Sequence, residues 1–518
     1  MALVNPTISI LGQDPGHRRR CNINANAFQQ DAVVTFQGWQ YAVFYSYMCK
    51  DHHDEPLYIH LARRKLPHAS KESQASAWEV VVFDDYPQTT DDGHNTVQIG
   101  ICPGDGTIHL AYDHHCDVLR YRQSVPNLAL TPDDFQWRPS LFSPALSHLP
   151  GLPTTHAPFK DVTYPRFGFL GSSNMFLSFR DGKAGLGNDH LYMYQAADGE
   201  AGRYAYMGQH LTGIQSNPYV NGITYTQRDN RLHITWVYRG FVHYAGWDEP
   251  LDTKHKQQAG PNGAENNHDL CYAYSEDLGY TWRNGNGEVI ADLKAKNTTA
   301  GTEIKSTVTN STSGIVAFKI PKGSGLMNQE AQAVDSEGRV HVLNRDCLAC
   351  PDSDDDGSDT SNMQVKWKHY FRDPLDGKWT CHALPITPGT RRGRLAAVPT
   401  SRQDTNAPSE TYIILPGSDT DSIFRILKAS SKDNYTTYSQ VWSSHQMGLK
   451  LAGEPLVDSS RLEFDLVLSV FCLREHGVLG QETGDEGSKG DKNLPQRDVV
   501  VLDFELPCTD TRFAVDAM

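Results

Sequence analysis

The chain has 518 residues, with 47 Lys and Arg against 62 Asp and Glu, for a formal net charge of −15. So acidic a balance argues against nucleic acid as a partner, since a nucleic-acid binder normally carries a basic face that neutralises phosphates. Hydrophobic residues make up 38%, and no uncharged apolar run approaches the ~18–20 residues of a membrane-spanning helix.

The opening Met1-Ala-Leu-Val-Asn-Pro has neither a basic n-region nor an apolar h-region. N-glycosylation triplets at Asn297, Asn310 and Asn434 nonetheless fit a secreted, extracellular protein, with its signal removed or exported by another route. The ten cysteines are scattered and define no short disulfide framework. From there the chain reads as short alternating runs bounded by Gly, Asp, Asn or Pro, and helical periodicity is almost absent. Val97-Gln-Ile-Gly-Ile, Thr107-Ile-His-Leu-Ala-Tyr, Met175-Phe-Leu-Ser-Phe, Leu232-His-Ile-Thr-Trp-Val and Arg339-Val-His-Val-Leu are examples. Regular short strands with turn signals predict an all-β sandwich, barrel or propeller.

An internal repeat decides among these. Asp105-Gly-Thr-Ile-His109, Asp229-Asn-Arg-Leu-His233 and Glu337-Gly-Arg-Val-His341 share an acidic turn and a strand with His at its third position. The intervals of 124 and 108 residues each predict two propeller blades, and the recurring histidines are assigned to packing. Ser275-Glu-Asp-Leu-Gly-Tyr-Thr-Trp282 has the spacing of an Asp-box hairpin, whose residues serve turn chemistry rather than catalysis. One propeller domain over 1–518 is expected, with loop insertions near 351–362 and 477–494.

The densest cluster of chemistry is Asp91-Asp-Gly-His-Asn-Thr96, followed by Asp113-His-His115. His94 and His115 lie 21 residues apart at the two ends of a strand–turn–strand unit, which predicts that they meet at one rim, outside the packing repeat. Next come Thr163-Tyr-Pro-Arg-Phe167 and Phe179-Arg-Asp-Gly182, which place Tyr164 and Arg166 one hairpin from Arg180. A Tyr and two Arg near two His are the groups that β-elimination on a uronate needs. Arg neutralises the carboxylate bidentately, which makes the C5 proton acidic, and His and Tyr move protons. The competing reading pairs Arg166 and Arg180 with turn acids such as Asp161 or Asp181.

Asp352-x-Asp354-x-Asp356-Gly357 copies the start of a calcium loop, but Met363 stands where an EF-hand places Glu. A solvated acidic loop is favoured, with a structural Ca²⁺ as the alternative. Cys347-x-x-Cys350 has no second CxxC, so a disulfide or free thiols are preferred to zinc.

The run from Asp-Gly-His94 through Gly-Asp-Gly-Thr-Ile-His109 and Asp113-His-His115 to Leu-Arg-Tyr-Arg122 resembles the BNR-repeat polysaccharide lyases, which include the ulvan lyases. Tyr164-Pro-Arg-Phe, Arg180-Asp-Gly, Leu232-His-Ile-Thr-Trp236, Asn267-His-Asp-Leu-Cys-Tyr272 and Met327-Asn-Gln-Glu330 extend the similarity over about Cys21 to Trp379. Within that group the chain is most similar to the fungal L-rhamnose-α-1,4-D-glucuronate lyases, which trim rhamnose-capped glucuronate from gum arabic side chains. The resemblance implies an all-β, seven-bladed β-propeller with antiparallel four-stranded blades, acting as a lyase that leaves a 4,5-unsaturated glucuronate. By position it makes His94 and Tyr164 the acid/base pair. His115 and Arg180 would hold the carboxylate, with Arg166 as an alternative and His114 as a rival to His115. Tyr219 or Tyr225 would be a further family tyrosine, and Asn95, Arg239 and His268 are placed with the substrate-binding residues. No cofactor is required. The implied partner is an anionic plant or algal polysaccharide or an arabinogalactan side chain, met by a monomer away from any membrane. A sialidase-type hydrolase is disfavoured, since no Phe/Tyr-Arg-Ile-Pro motif stands near the N-terminus. A lectin-like propeller is disfavoured because binding alone does not call for clustered proton-transfer groups.

Overall fold

The computed structural model describes residues 2–48, 56–67, 75–247, 261–295, 305–350, 364–398, 408–418, 421–476 and 496–507. The alternating runs form seven sheets in chain order, and the first strands of successive sheets lie against one another round a common axis. These first strands are Val33–Phe36, Val97–Ile101, Val162–Leu170, Ser216–Thr226, Ala331–Val334, Arg394–Val398 and Leu451–Val457. The fold is therefore a seven-bladed β-propeller, as expected. Thr7–Asp14 pairs as the outer strand of the last blade, with Thr7 opposite Asp503 and Asp14 opposite Arg497. A buried ion pair of 2.8 Å between Arg497 and Asp14 locks this closure of the ring.

The first, fifth, sixth and seventh blades have four strands each. The other three depart from the expected pattern. The second has three, and its outer edge is taken by irregular chain that bridges Tyr121 to Leu146 and Ser124 to Phe142. The third and fourth each carry six, because short strands such as His115–Asp117 and Val316–Phe318 add to them. The core lies between blades. Leu191 and Met207 of the third, for example, pack with Trp236 and Trp282 of the fourth, all nearly solvent-free.

The Asp box closes the turn from Asn267–Ser275 to Thr281–Arg283. Asp277 Oδ1 accepts from Thr281 N (2.7 Å), Ser275 Oγ accepts from Gly279 N (2.8 Å) and Gly279 has φ +98°. His109, His233 and His341 are buried at the starts of second strands, bonded to Tyr121, Tyr272 and His369. The interval from His109 to His233 spans two blades, but that from His233 to His341 spans one. The extra strands and long connections of the fourth blade lengthen it to nearly the same count.

Cys350 Sγ lies 2.9 Å from Cys381 Sγ, so its neighbour is Cys381 and not Cys347. Both loop insertions, and Asp352, Asp354 and Asp356 with them, lie outside the described residues.

Antiparallel pairing fixes where a site can form. The start of each first strand and the end of its second strand meet at one end of the axis, as Thr163 opposite Arg180 and Asn217 opposite Arg239 show.

Candidate active site

The hairpin that pairs Val97 with Tyr112 returns the chain, so the rings of His94 and His115 stack at 3.8 Å. One carboxylate holds both: Asp92 Oδ1 lies 2.6 Å from His94 Nδ1, and Oδ2 lies 2.6 Å from His115 Nδ1. A carboxylate only accepts, so Nδ1 carries the proton on each neutral ring and Nε2 keeps the lone pair. Burial and the neighbouring His94 push the His115 pKa down to about 3, against the pull of Asp92. Burial works against the charged form of Asp92, yet the hydrogen bonds from His115 and His94 outweigh it and keep the carboxyl well below its usual range. Phe28, from the first blade, stacks on His94 at 4.6 Å.

Tyr164 enters at the start of the third blade, where the register slips between Thr163 and Arg166. Its φ of +58° is a strained setting for a non-glycine residue, of the kind retained where function demands it. The ring lies 5.6 Å from His94 and 6.0 Å from Tyr219. Burial, and then Tyr219, raise the Tyr164 pKa above that of an ordinary phenol.

Arg180 ends the second strand of the same blade, with its guanidinium 4.9 Å from the Tyr164 ring centre. It donates to Tyr219 Oη (3.1 Å) and Thr163 Oγ1 (3.3 Å), with Cys116 Sγ at 3.5 Å. Arg239, one blade on, reaches the same phenol oxygen at 3.5 Å and packs over that ring at 4.5 Å. It is held by Asn267 Oδ1 (2.9 Å) and Asn328 Oδ1 (2.6 Å). Neither Arg180 nor Arg239 forms an ion pair with a carboxylate among the described residues, whereas Arg392, which meets the same Asn328 oxygen at 3.4 Å, is paired with Glu454 at 3.3 Å.

The structure thus brings together His94, His115, Tyr164, Arg180, Tyr219 and Arg239. It sets the other sequence candidates elsewhere. Arg166 is buried, donates to the Val220 carbonyl (2.8 Å) and lies 3.9 Å from Asp189. His114 is buried, its Nε2 accepting from Arg120 N at 2.8 Å. Asn95 braces the hairpin by donating to Asp113 at 2.8 Å. His268 pairs with Asp269 at 3.1 Å and stacks on Tyr238. Tyr225 stands at the far end of its strand, bonded to Asn230, on the opposite face of the propeller. Asp92 and Asn328 were not singled out from the sequence, although both sit in quoted motifs, Asp92 two residues before His94 and Asn328 in Met327-Asn-Gln-Glu330; Phe28 and Arg392 carried no such signal. The ligand-type atoms of Asp92, His94 and His115 lie within 4.8 Å of one another, but both carboxylate oxygens are spent on imidazole N–H groups.

The chain matches the BNR repeat-containing family over residues 39–385, more than half its length, and belongs to that family. Over 199 residues it is 26% identical to the long isoform of ulvan lyase from Glaciecola sp. (strain KUL10). That match covers 31% of this chain and 19% of the relative, so the chain spans about a fifth of that protein's length. The crystal structure of polysaccharide lyase Uly1 superposes on 97% of this chain and 100% of its own, with a TM-score of 0.61 at 15% identity, a likeness of fold.

Proposed function

We propose that the protein is a polysaccharide lyase that breaks the O4 linkage of a glucuronate by β-elimination, releasing terminal L-rhamnose from rhamnosyl-α-1,4-glucuronate ends. The observation that carries this reading is the pair Arg180 and Arg239, two guanidiniums on one phenol oxygen with no carboxylate of their own among the described residues. Cations taken out of water are costly without an anion, and a uronate carboxylate supplies one. Neutralised there, the carboxylate acidifies the adjacent C5–H. A base removes that proton, C4=C5 forms, and an acid protonates the departing O4.

His94 and Tyr164 stand beside the arginines as the acid/base pair. His115 takes a part other than the one its position in the family implies: its N–H is committed to Asp92, so it offers a carboxylate no proton, and Arg239 fills that place. The similarity to an ulvan lyase and the fold of a polysaccharide lyase support the same reaction class. The same reading makes the enzyme a secreted monomer acting without a cofactor on an anionic plant or algal glycan, such as an arabinogalactan side chain. The exposed sequon residues Asn310 and Asn434 support secretion.

The test is to follow ultraviolet absorbance of the conjugated C4=C5 bond with a rhamnosyl-glucuronate glycan and, in parallel, ulvan. Rising absorbance with the first supports the full reading, and with ulvan alone moves the substrate. Rhamnose release without a chromophore would mean hydrolysis, and no release from either would mean a lectin.

A further inference from the structure

We propose that Tyr219 rests as a tyrosinate between Arg180 and Arg239 and is the base that takes the C5 proton. The first half stands on the geometry of the site, and the second rests on the lyase reading above, with the base role moved from His94 to Tyr219 and Tyr164 kept as the acid. The two guanidiniums converge on Tyr219 Oη at 3.1 and 3.5 Å, and both also lie against its ring, at 5.4 and 4.5 Å. A phenolate there is the anion that touches both guanidiniums before substrate arrives, while Asp161 acts on Arg180 alone and from farther off. The groups that face it are Arg180, Arg239, Tyr164 and Cys116 from neighbouring elements and Asn217 from its own strand. Burial alone would raise the Tyr219 pKa, but Arg239 and then Arg180 outweigh it and set it below the ordinary phenol value. Tyr164, shifted the opposite way, stays protonated.

C5 is bonded directly to the carboxylate carbon, so a base on the guanidiniums that bind the carboxylate stands beside the C5–H. As the carboxylate takes over those N–H groups, the phenolate loses part of its stabilisation and becomes more basic when substrate is in place. The C5–H electron pair becomes the C4=C5 π bond and the proton passes to Tyr219 Oη. The C4–O4 pair leaves with O4, which takes the phenol proton of Tyr164. Proton exchange with solvent, through the imidazoles held by Asp92, restores both tyrosines.

The test is an ultraviolet difference spectrum of the substrate-free enzyme at neutral pH. One ionised tyrosine is expected in the wild type and in Tyr164→Phe, and none in Tyr219→Phe. Arg239→Met, which keeps the phenol and removes a cation, should also abolish the signal, so a misfolded Tyr219→Phe protein does not leave the question open. Identical spectra for wild type and Tyr219→Phe would overturn the resting tyrosinate. For the base role, Tyr219→Phe should lower kcat by ~10²–10⁴-fold and remove the acid limb of the kcat profile that follows the phenolate. A near-normal kcat in that variant would overturn it. A tyrosinate signal in a protein that never yields unsaturated product would instead sink the lyase reading and leave the resting state standing.

Discussion

Replacing Asp92 by Asn tests whether the imidazole pair is a working unit. Asp92 accepts two Nδ1–H bonds at 2.6 Å each, one per oxygen. Hydrogen bonds to a charged group contribute about 1.5–3 kcal/mol apiece. Asparagine keeps one acceptor oxygen and turns the other position into an NH₂ donor. One imidazole then retains its bond, while the other is forced to accept at Nδ1 and carry its proton on Nε2, so its lone pair no longer faces the substrate. Loss of one charge-assisted bond, if fully expressed in the transition state, lowers kcat by ~10–150-fold. A wrong tautomer adds to that, and in a serine protease triad the same Asp→Asn change costs ~10⁴-fold. The expected fall in kcat is therefore about 10²–10⁴-fold, with KM altered far less, because Arg180 and Arg239 still bind the carboxylate. The assay is the initial rate of C4=C5 absorbance, with circular dichroism to show an intact propeller. A folded Asp92→Asn enzyme within about 3-fold of wild-type kcat would refute the argument that one carboxylate sets both tautomers.

Two further outcomes separate stability from catalysis. Burial raises the Asp31 pKa to about 6 in the fold, against the opposing pull of Arg394 and Arg166. The folded protein thus holds a proton that the unfolded chain gives up near the ordinary carboxyl value of 3.8, and stability falls as pH rises between those values. The full shift corresponds to about 3 kcal/mol, reduced to roughly 1–2 kcal/mol because Asp31 as a residue is only half-buried. Asp31→Asn should stabilise the protein by that amount in urea at pH 8 and by nothing at pH 4, and an equal gain at both would show that charge is not the cause. Gly279→Ala puts a Cβ 2.7 Å from Leu191 Cδ2 at φ +98°, a cost of ~1–3 kcal/mol. The melting temperature should drop while kcat holds, and the reverse pattern would make the Asp box part of the site.

The propeller was legible because its signals are local. Alternating strands, an Asp box and an acidic turn before a strand-borne His each lie within about ten residues. The His94–His115 meeting was legible for the same reason, since a single hairpin joins them. What failed was counting. An interval of 108 residues from His233 to His341 looks like the 124 from His109 to His233, yet it covers one blade, because insertions add residues without adding to the ring. The missed site residues come from the same source. Phe28, Asn328 and Arg392 stand just ahead of first strands in three different blades, so only the closed ring sets them beside His94 and Arg239. Arg166 misled for the opposite reason. It lies two residues from Tyr164, but the slipped register of that strand sends its guanidinium to the Val220 carbonyl and Asp189.

The net charge of −15 looks at first like a reason to doubt an anionic substrate, and the arrangement of the site removes the conflict by distance. At the pocket, neither Arg180 nor Arg239 forms an ion pair with a carboxylate among the described residues, Asp161 acts on Arg180 only at longer range, and Asp92 and Glu454 are committed to two imidazoles and to Arg392. Beyond a Debye length of about 8 Å at physiological salt, exposed charges are largely screened. A single uronate at the end of a side chain therefore meets mainly the two guanidiniums. A long polyanion would also meet other charges of a chain whose net charge is −15, at many points within that length. On the proposed reading this charge balance favours a short, capped uronate end over a continuous polyanion, and strong acceleration of turnover by added salt would show instead that the global charge governs binding.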